Sequence, residues 1–237
     1  MAHQHIVALG GGGFSMETSP VLDDYILALA RKDRPRICFL PTASGDNDNY
    51  IVRFYRRFAS ARCEPNHLEL FRRTVVDLEQ FVASQDIVYV GGGNSANMLA
   101  VWHLHGVDRT LRTALQRGVV MAGVSAGSIC WFDQGVTDSF AAPELSSVNR
   151  LGLLAGSNCP HYDGEAARRP AYHRLVREGL AGGIAADDGA AVHFENGAFK
   201  RVVSSRPGAR AYRVERAPGE VGEVSETAIA TEYLGPA

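Results

Sequence analysis

The residue type best placed to do chemistry in this sequence is the serine of Gly123-Val124-Ser125-Ala126-Gly127, between the apolar run Val119 to Ala122 and a segment, Gly127 to Phe132, that reads as the start of a helix. Gly-x-Ser-x-Gly at a strand-to-helix turn is the nucleophile-elbow pattern. The turn holds serine in a strained backbone conformation that projects its Oγ from the sheet, and its neighbours must lack side chains that would clash. The N-terminal dipole of the following helix favours negative charge developing beside Ser125. A serine hydroxyl is a poor nucleophile at neutral pH and requires a base. Of the eight histidines, His3, His5, His67, His103 and His105 read as structural or surface groups, whereas His161 sits in Cys159-Pro160-His161-Tyr162-Asp163-Gly164, a loop flanked by turn formers. The bland alternative is a tight strand-helix turn in which serine happens to occur, and a histidine that merely caps a loop.

A catalytic imidazole needs a carboxylate to hold its tautomer, and spacing leaves Asp138, Asp163 and Asp188 open. Asp163 lies only two residues from His161, side by side with it. Asp138, in Thr137-Asp138-Ser139, can equally cap a turn. Asp187-Asp188-Gly189 ends the apolar run Gly183 to Ala186, which places Asp188 at a strand end. Gly91-Gly92-Gly93-Asn94 after another strand offers backbone N–H groups: Gly93 and Ala126 are the expected oxyanion donors. Asn94 is assigned both to the substrate side and, with Ser95, to capping the next helix. Gly10 to Gly13 lacks the dinucleotide fingerprint, since Ser15 stands where Gly is needed and Pro41-Thr42 where an acid is needed.

These groups must be carried by strands whose carboxyl ends share one rim. Short apolar runs at His5 to Leu9, Ile37 to Leu40 and Leu68 to Phe71 alternate with helical patterns, in which Val21, Leu22, Tyr25, Ile26 and Leu29, then Tyr50, Ile51, Phe54, Tyr55 and Phe58, recur at helical spacing. Ile87 to Val90 and Val119 to Ala122 are nearly continuous apolar runs, as parallel strands buried on both faces require. The fold class expected is α/β with a doubly wound, mostly parallel sheet, in which ligands sit beyond the carboxyl ends of the strands. Past residue 183 the pattern changes: Asn196-Gly197 signals a type I′ hairpin, and Ala211 to Arg216 and Ala228 to Tyr233 add strands separated by the stretch Ala217 to Gly222. The expectation is one domain over 1–237, with antiparallel C-terminal strands making 190–237 a β-rich part.

Composition narrows the function classes. With 24 Lys plus Arg against 26 Asp plus Glu, the formal charge is -2, too balanced for a phosphate-backbone or polybasic membrane binder. No apolar run reaches the 18 residues of a membrane span, and the opening MAHQHIVALGGGGF is too short and Gly-interrupted for an export signal. Four dispersed cysteines without a CxxC pair argue against a zinc knuckle or disulfide framework and read as reduced, mostly buried thiols. The expectation is therefore a cytoplasmic protein with no metal or other cofactor, no nucleic acid and no membrane partner. The 25 glycines exceed average usage, and many fall in the three clusters at strand ends.

Taken together, Tyr89-Val90-Gly91-Gly92-Gly93-Asn94, Gly123-Val124-Ser125-Ala126-Gly127-Ser128 and Cys159-Pro160-His161-Tyr162 make the chain resemble the peptidase E family of serine peptidases, which includes aspartyl dipeptidases and, more distantly, cyanophycinases. The resemblance runs from about residue 5 to residue 200. It implies a class I glutamine amidotransferase-like fold and a Ser-His-acid triad of Ser125, His161 and, where the family has Glu, Asp188. An Asp is one methylene shorter, so the His161 contact needs a backbone shift or passes to Asp138. The resemblance also implies hydrolysis of dipeptides with an N-terminal aspartate, a substrate that calls for a cation. Arg168 and Arg169 stand where the family has an Arg, and a guanidinium there can take a carboxylate bidentately; a solvated helix end is the alternative. The partner expected is a small peptide, with a homodimer left open. Two other readings are carried: a noncatalytic binder of a small acidic metabolite, and a cyanophycinase-like hydrolase of β-aspartyl peptides. A glutamine amidotransferase would need Cys at the elbow.

Overall fold

The computed structural model describes residues 3–17, 19–58, 62–217 and 223–236. Strands β1 (His5–Leu9), β2 (Arg36–Leu40), β3 (Glu64–His67), β4 (Ile87–Val90) and β5 (Val120–Val124) form a parallel array in the order β1-β5-β4-β2-β3. Helices α1 (Val21–Leu29) and α2 (Asp48–Phe58) follow β1 and β2, and α3 (Leu78–Ala83), α4 (Ser95–His105) and α5 (Val107–Gln116) flank β4. All residues of β1, β4 and β5 are buried, and the period-two alternation of strands divides them between two cores. Val7, Leu9, Phe39 and Tyr89 pack with Leu22, Ile26, Phe54 and Phe58 of α1 and α2, while Ala8, Leu40, Val88 and Val90 pack with Val82, Met98, Trp102 and Leu111 of α3, α4 and α5. Helices on both faces explain the unbroken apolar runs.

After β5 come α6 (Ala126–Ile129), β6 (Phe132–Ala141), β7 (Glu144–Asn149), β8 (Leu154–Cys159), α7 (Arg168–Glu178), β9 (Gly183–Ala186), β10 (Ala190–Glu195), β11 (Ala198–Ser204), β12 (Ala211–Arg216), β13 (Val224–Ile229) and β14 (Thr231–Tyr233). The strands divide into two sheets, β14-β11-β10-β1-β5-β4-β2-β3 and β13-β12-β9-β8-β6-β7. β10 joins the first sheet antiparallel to β1, and its hairpin to β11 turns on Asn196 and Gly197, both at positive φ as a type I′ turn requires.

Four details differ from the sequence expectation. The third strand is Glu64–His67, not Leu68 to Phe71, because the Asp46 carboxylate captures the Leu70 and Phe71 N–H groups at 2.6 and 2.8 Å and draws that segment off the sheet; as an edge strand, β3 tolerates Pro65. The helix expected from Gly127 to Phe132 is a single turn ending at Ile129. Segment 151–154 donates backbone hydrogen bonds to the carbonyls of Cys130, Trp131 and Phe132 and so starts a second sheet there. β9 lies in that second sheet, parallel to β8. The C-terminal strands are not uniformly antiparallel: β14 runs parallel to β11, and the run from Ala228 to Tyr233 is split at Ala230 between the two sheets. Residues 218–222 of the expected stretch Ala217 to Gly222 lie outside the described residues. Among the described residues, no helix is long and apolar enough to cross a membrane, and Cys38, Cys63, Cys130 and Cys159 are buried thiols outside any disulfide.

Candidate active site

Ser125 follows β5 with φ 57° and ψ -113°, and every other residue from Val119 to Phe132 is buried. A non-glycine residue at such dihedrals is strained, and surrounding packing must hold it there. The flanking glycines show how: a Cβ on Gly123 would stand 2.2 Å from the Gly127 carbonyl oxygen, and one on Gly127 would stand 2.2 Å from that of Val90. Strand, turn and helix pack backbone to backbone, which no larger residue permits. Because α6 has only four residues, little macrodipole reaches Ser125, and the individual N–H groups at its start remain as donors.

The carboxyl end of β1 gathers the three candidate groups on successive residues. The Leu9 carbonyl accepts from the Ser125 N–H (3.2 Å), the Gly10 carbonyl from the His161 N–H (3.2 Å), and the Gly11 carbonyl from the Gly189 N–H (3.0 Å), next to Asp188, which bridges Gly11. The loop Gly10 to Gly13, to which spacing assigned no task, thus aligns the residues after β5, β8 and β9. His161 Nδ1 lies 2.7 Å from Asp188 Oδ1, with both side chains mostly buried. The hydrogen bond from His161 holds the Asp188 carboxyl below its usual range, against the opposing effect of burial.

Asp188 reaches the imidazole despite being shorter than Glu because its surroundings close in. A Cβ on Gly11 would lie 2.0 Å from Asp188 Oδ1, and one on Gly164 would lie 2.0 Å from Oδ2, so the carboxylate fits between two bare Cα atoms. Its backbone is clamped as well. The Asp188 N–H donates to Asp163 Oδ1 (2.9 Å), and Arg206 donates to the Asp188 carbonyl (2.9 Å) while pairing with Asp163. Among the described residues, no hydrogen bond or ion pair engages the Asp138 carboxylate.

Of the other candidates, Gly92 comes nearest to the serine side chain: a Cβ there would lie 3.2 Å from Ser125 Cβ and 3.7 Å from Oγ. Gly93, at φ 138°, packs on the carbonyl of Ala43, and among the described residues no hydrogen bond engages its N–H or that of Ala126. Asn94 caps α4, accepting from the Asn97 N–H (2.9 Å) and donating to the Ser139 carbonyl (3.0 Å). Arg168 is 5% exposed and donates to Glu165 (2.6 Å) and the Val136 carbonyl (3.2 Å). Arg169 lies over the rings of Tyr162 and Tyr212, at 4.8 and 4.9 Å, and pairs with Glu226. Sequence reasoning did not single out Tyr50, whose hydroxyl accepts from the Gly92 N–H (3.3 Å), nor Gly11, Gly164 and Arg206. Tyr50 gave only the signal of an apolar helix face.

Buried polar contacts join the two sheets behind the site. Ser128 of α6 donates to Asn158 Oδ1 (2.9 Å), and Asn158 Nδ2 donates to the Ile184 carbonyl (2.9 Å), so one side chain links the helix after Ser125 to β8 and β9, which carry His161 and Asp188. On the outer side Glu226 of β13 accepts from Tyr162 (2.5 Å) and His173 (2.8 Å), bracing the loop of His161 against α7.

The profile described as Peptidase family S51 matches residues 6–202. A Bacillus subtilis (strain 168) protein named uncharacterized peptidase YgaJ is 54% identical over 234 residues, covering 98% of this chain and 100% of its own. Peptidase E of Streptomyces coelicolor is 29% identical over 128 residues, covering 54% of this chain and 51% of its own. Among solved structures, a peptidase from an acI-B1 Actinobacterium superposes with a TM-score of 0.63 at 15% identity, covering 94% of this chain and 96% of that one, and shares the fold.

Proposed function

The chain belongs to peptidase family S51, and from that premise we propose that it hydrolyses small acidic peptides, dipeptides with N-terminal aspartate foremost, with Ser125 as nucleophile, His161 as base and Asp188 as the orienting acid. The observation that carries the reading is the alignment of Ser125, His161 and Asp188 along Leu9, Gly10 and Gly11, with the 2.7 Å contact between His161 Nδ1 and Asp188. With Asp188 ionised and accepting from Nδ1–H, the lone pair is left on Nε2, the nitrogen that can take a proton. His161 Nε2 removes the Ser125 Oγ proton as the oxygen adds to the peptide carbonyl. The oxyanion is held by the N–H groups of Gly93 and Ala126, which are free of other acceptors among the described residues. When the C–N bond breaks, the imidazolium returns its proton to the leaving amine. Water then repeats addition and elimination on the acyl-enzyme.

Replacing Ser125 with Ala is expected to abolish release of nitroaniline from aspartyl p-nitroanilide and of free leucine from aspartyl-leucine. Labelling by a fluorophosphonate should be seen with the unsubstituted protein and lost in the variant, since an unactivated serine resists the reagent. Hydrolysis that survives the substitution would remove Ser125 from the mechanism.

A further inference from the structure

An acidic peptide needs a cation near the nucleophile, yet Arg168 and Arg169 are already engaged by Glu165, the Val136 carbonyl, two tyrosine rings and Glu226. Elsewhere on the same rim, a cavity of about 280 Å³ opens between the turns after β1 and β2 and the first turns of α2, lined by Ser15, Ser44, Asn47, Asn49, Tyr50 and Arg53. That volume is at the small end for ligand sites, suited to one polar group with a short chain. The cavity shares a wall with the active site: Tyr50, whose hydroxyl donates to Ser15 Oγ (2.8 Å), accepts from the N–H of Gly92, the residue that stands against Ser125.

The lining has one charge. Arg53 Nη1 donates to the Ser15 carbonyl (2.5 Å), which fixes the guanidinium, while its Nε and Nη2 meet no acceptor among the described residues. Asn47 Oδ1 accepts from the Tyr50 N–H (3.1 Å), which directs its amide oxygen to the helix and leaves the NH2 group as a donor. The positive end of the α2 macrodipole lies at the same place, and Asp48 in that turn does not line the cavity. A single fixed guanidinium with neutral donors around it is the chemistry of a carboxylate site.

We propose that this cavity is the subsite for a carboxylate of the peptide substrate, held by Arg53, so that Tyr50 and Gly92 relay the position of the bound acid to Ser125. The proposal rests on the reading of Ser125 as nucleophile toward acidic peptides. The carboxylate is either the side chain of an N-terminal aspartate or the free C-terminus of the dipeptide. Three substrates separate the two: aspartyl p-nitroanilide carries only the first, alanyl-leucine only the second, and aspartyl-leucine both. Arg53→Gln is expected to lower kcat/KM about 10- to 100-fold for those that carry the recognised carboxylate, the loss of one charge-assisted contact, with Arg53→Lys recovering part of it. Loss on the anilide and on aspartyl-leucine assigns the side chain; loss on the two dipeptides alone assigns the C-terminus. Calorimetric titration of aspartyl-leucine into the Ser125→Ala protein, with and without Arg53→Gln, reads the cavity without catalysis. If the unsubstituted protein hydrolyses none of the three, the reading of Ser125 fails while the titration still decides the cavity. Equal kinetics and equal binding with and without Arg53 would overturn the proposal.

Discussion

Asp188 concentrates the chemistry of a single residue here. Its carboxylate meets His161 Nδ1 from between the Cα atoms of Gly11 and Gly164, so in the proposed mechanism both its charge and its length matter. Asp188→Asn keeps the shape but removes the acceptor that selects the imidazole tautomer, and kcat on aspartyl p-nitroanilide is expected to fall about 10⁴-fold. Asp188→Glu supplies the residue type that the family resemblance implied, yet its extra methylene has no room between the two glycines. It too is expected to lose activity, by about 100-fold if the carboxylate is displaced by about 1 Å. Glutamate variants as active as the unsubstituted protein in steady-state assays would show that the glycine seat does not set the length. Spacing alone left Asp188 as one of three aspartates, and it was the family resemblance that pointed to it. Which of them meets His161 depends on how loops after strands of different sheets come together, and no spacing within one segment carries that information.

At the scale of elements, the carboxyl end of β1 organises the site. Three successive residues receive the chain after β5, β8 and β9, and Gly11 does so at van der Waals limit against Asp188 and His161. Gly11→Ala would place a Cβ 2.0 Å from Asp188 Oδ1 and 3.0 Å from His161 Nδ1. The expected result is a loss of kcat of about 100-fold with the far-ultraviolet dichroism of the fold retained, since the displaced atoms belong to loop ends outside the cores. Unchanged kcat would mean that the loop yields without disturbing the pair. The parallel strands and first two helices were readable because burial on both faces imposes continuous apolar runs, and one-face burial imposes helical periodicity. The departures arose where a distant partner overrode local pattern. Asp46 pulls Leu70 and Phe71 off the sheet, and segment 151–154 turns the end of the elbow helix into β6.

Across the whole molecule, β1 is also the seam between the parallel array and the antiparallel β10. At the end opposite the active site this seam holds a buried chain: Tyr25 OH is 2.7 Å from His193 Nδ1, and His193 Nε2 is 3.0 Å from His5 Nδ1. Burial first, and then the neighbouring His5, lowers the His193 pKa to about 4. In the unfolded chain the imidazole takes up a proton near pH 6.5, whereas the folded protein resists it until about pH 4, so stability is present above 6.5 and lost as pH falls through that window. The loss has an upper bound of roughly 3 kcal/mol, because solvent screening reduces it for an imidazole that is not wholly enclosed. Urea unfolding of the unsubstituted protein and of His193→Gln, compared from pH 7 to pH 4, should show the difference in stability between them shifting toward the variant by up to that amount. A difference that stays constant with pH would show that His193 is not held neutral.

The amino-acid order alone carried the family and the α/β class, and it singled out Ser125 as the candidate nucleophile, because a strand followed by Gly-x-Ser-x-Gly is a recognisable local pattern whose glycines permit a strained serine. It also determined that His161 would lie on a loop. What His161 touches was set by packing between distant segments, since the Gly10–Gly11 loop and the second sheet must be in place before Asp188 can reach the ring. The same holds for the charges meant for substrate. Arg168 and Arg169 looked available in the chain, but packing of α7 gives them to Glu165, Tyr162, Tyr212 and Glu226, and leaves Arg53, unremarked on the second helix, lining a cavity that Tyr50 and Gly92 connect to Ser125. A side chain's type is written in the sequence; whether its hydrogen bonds are already taken depends on residues far along the chain, and folding settles it.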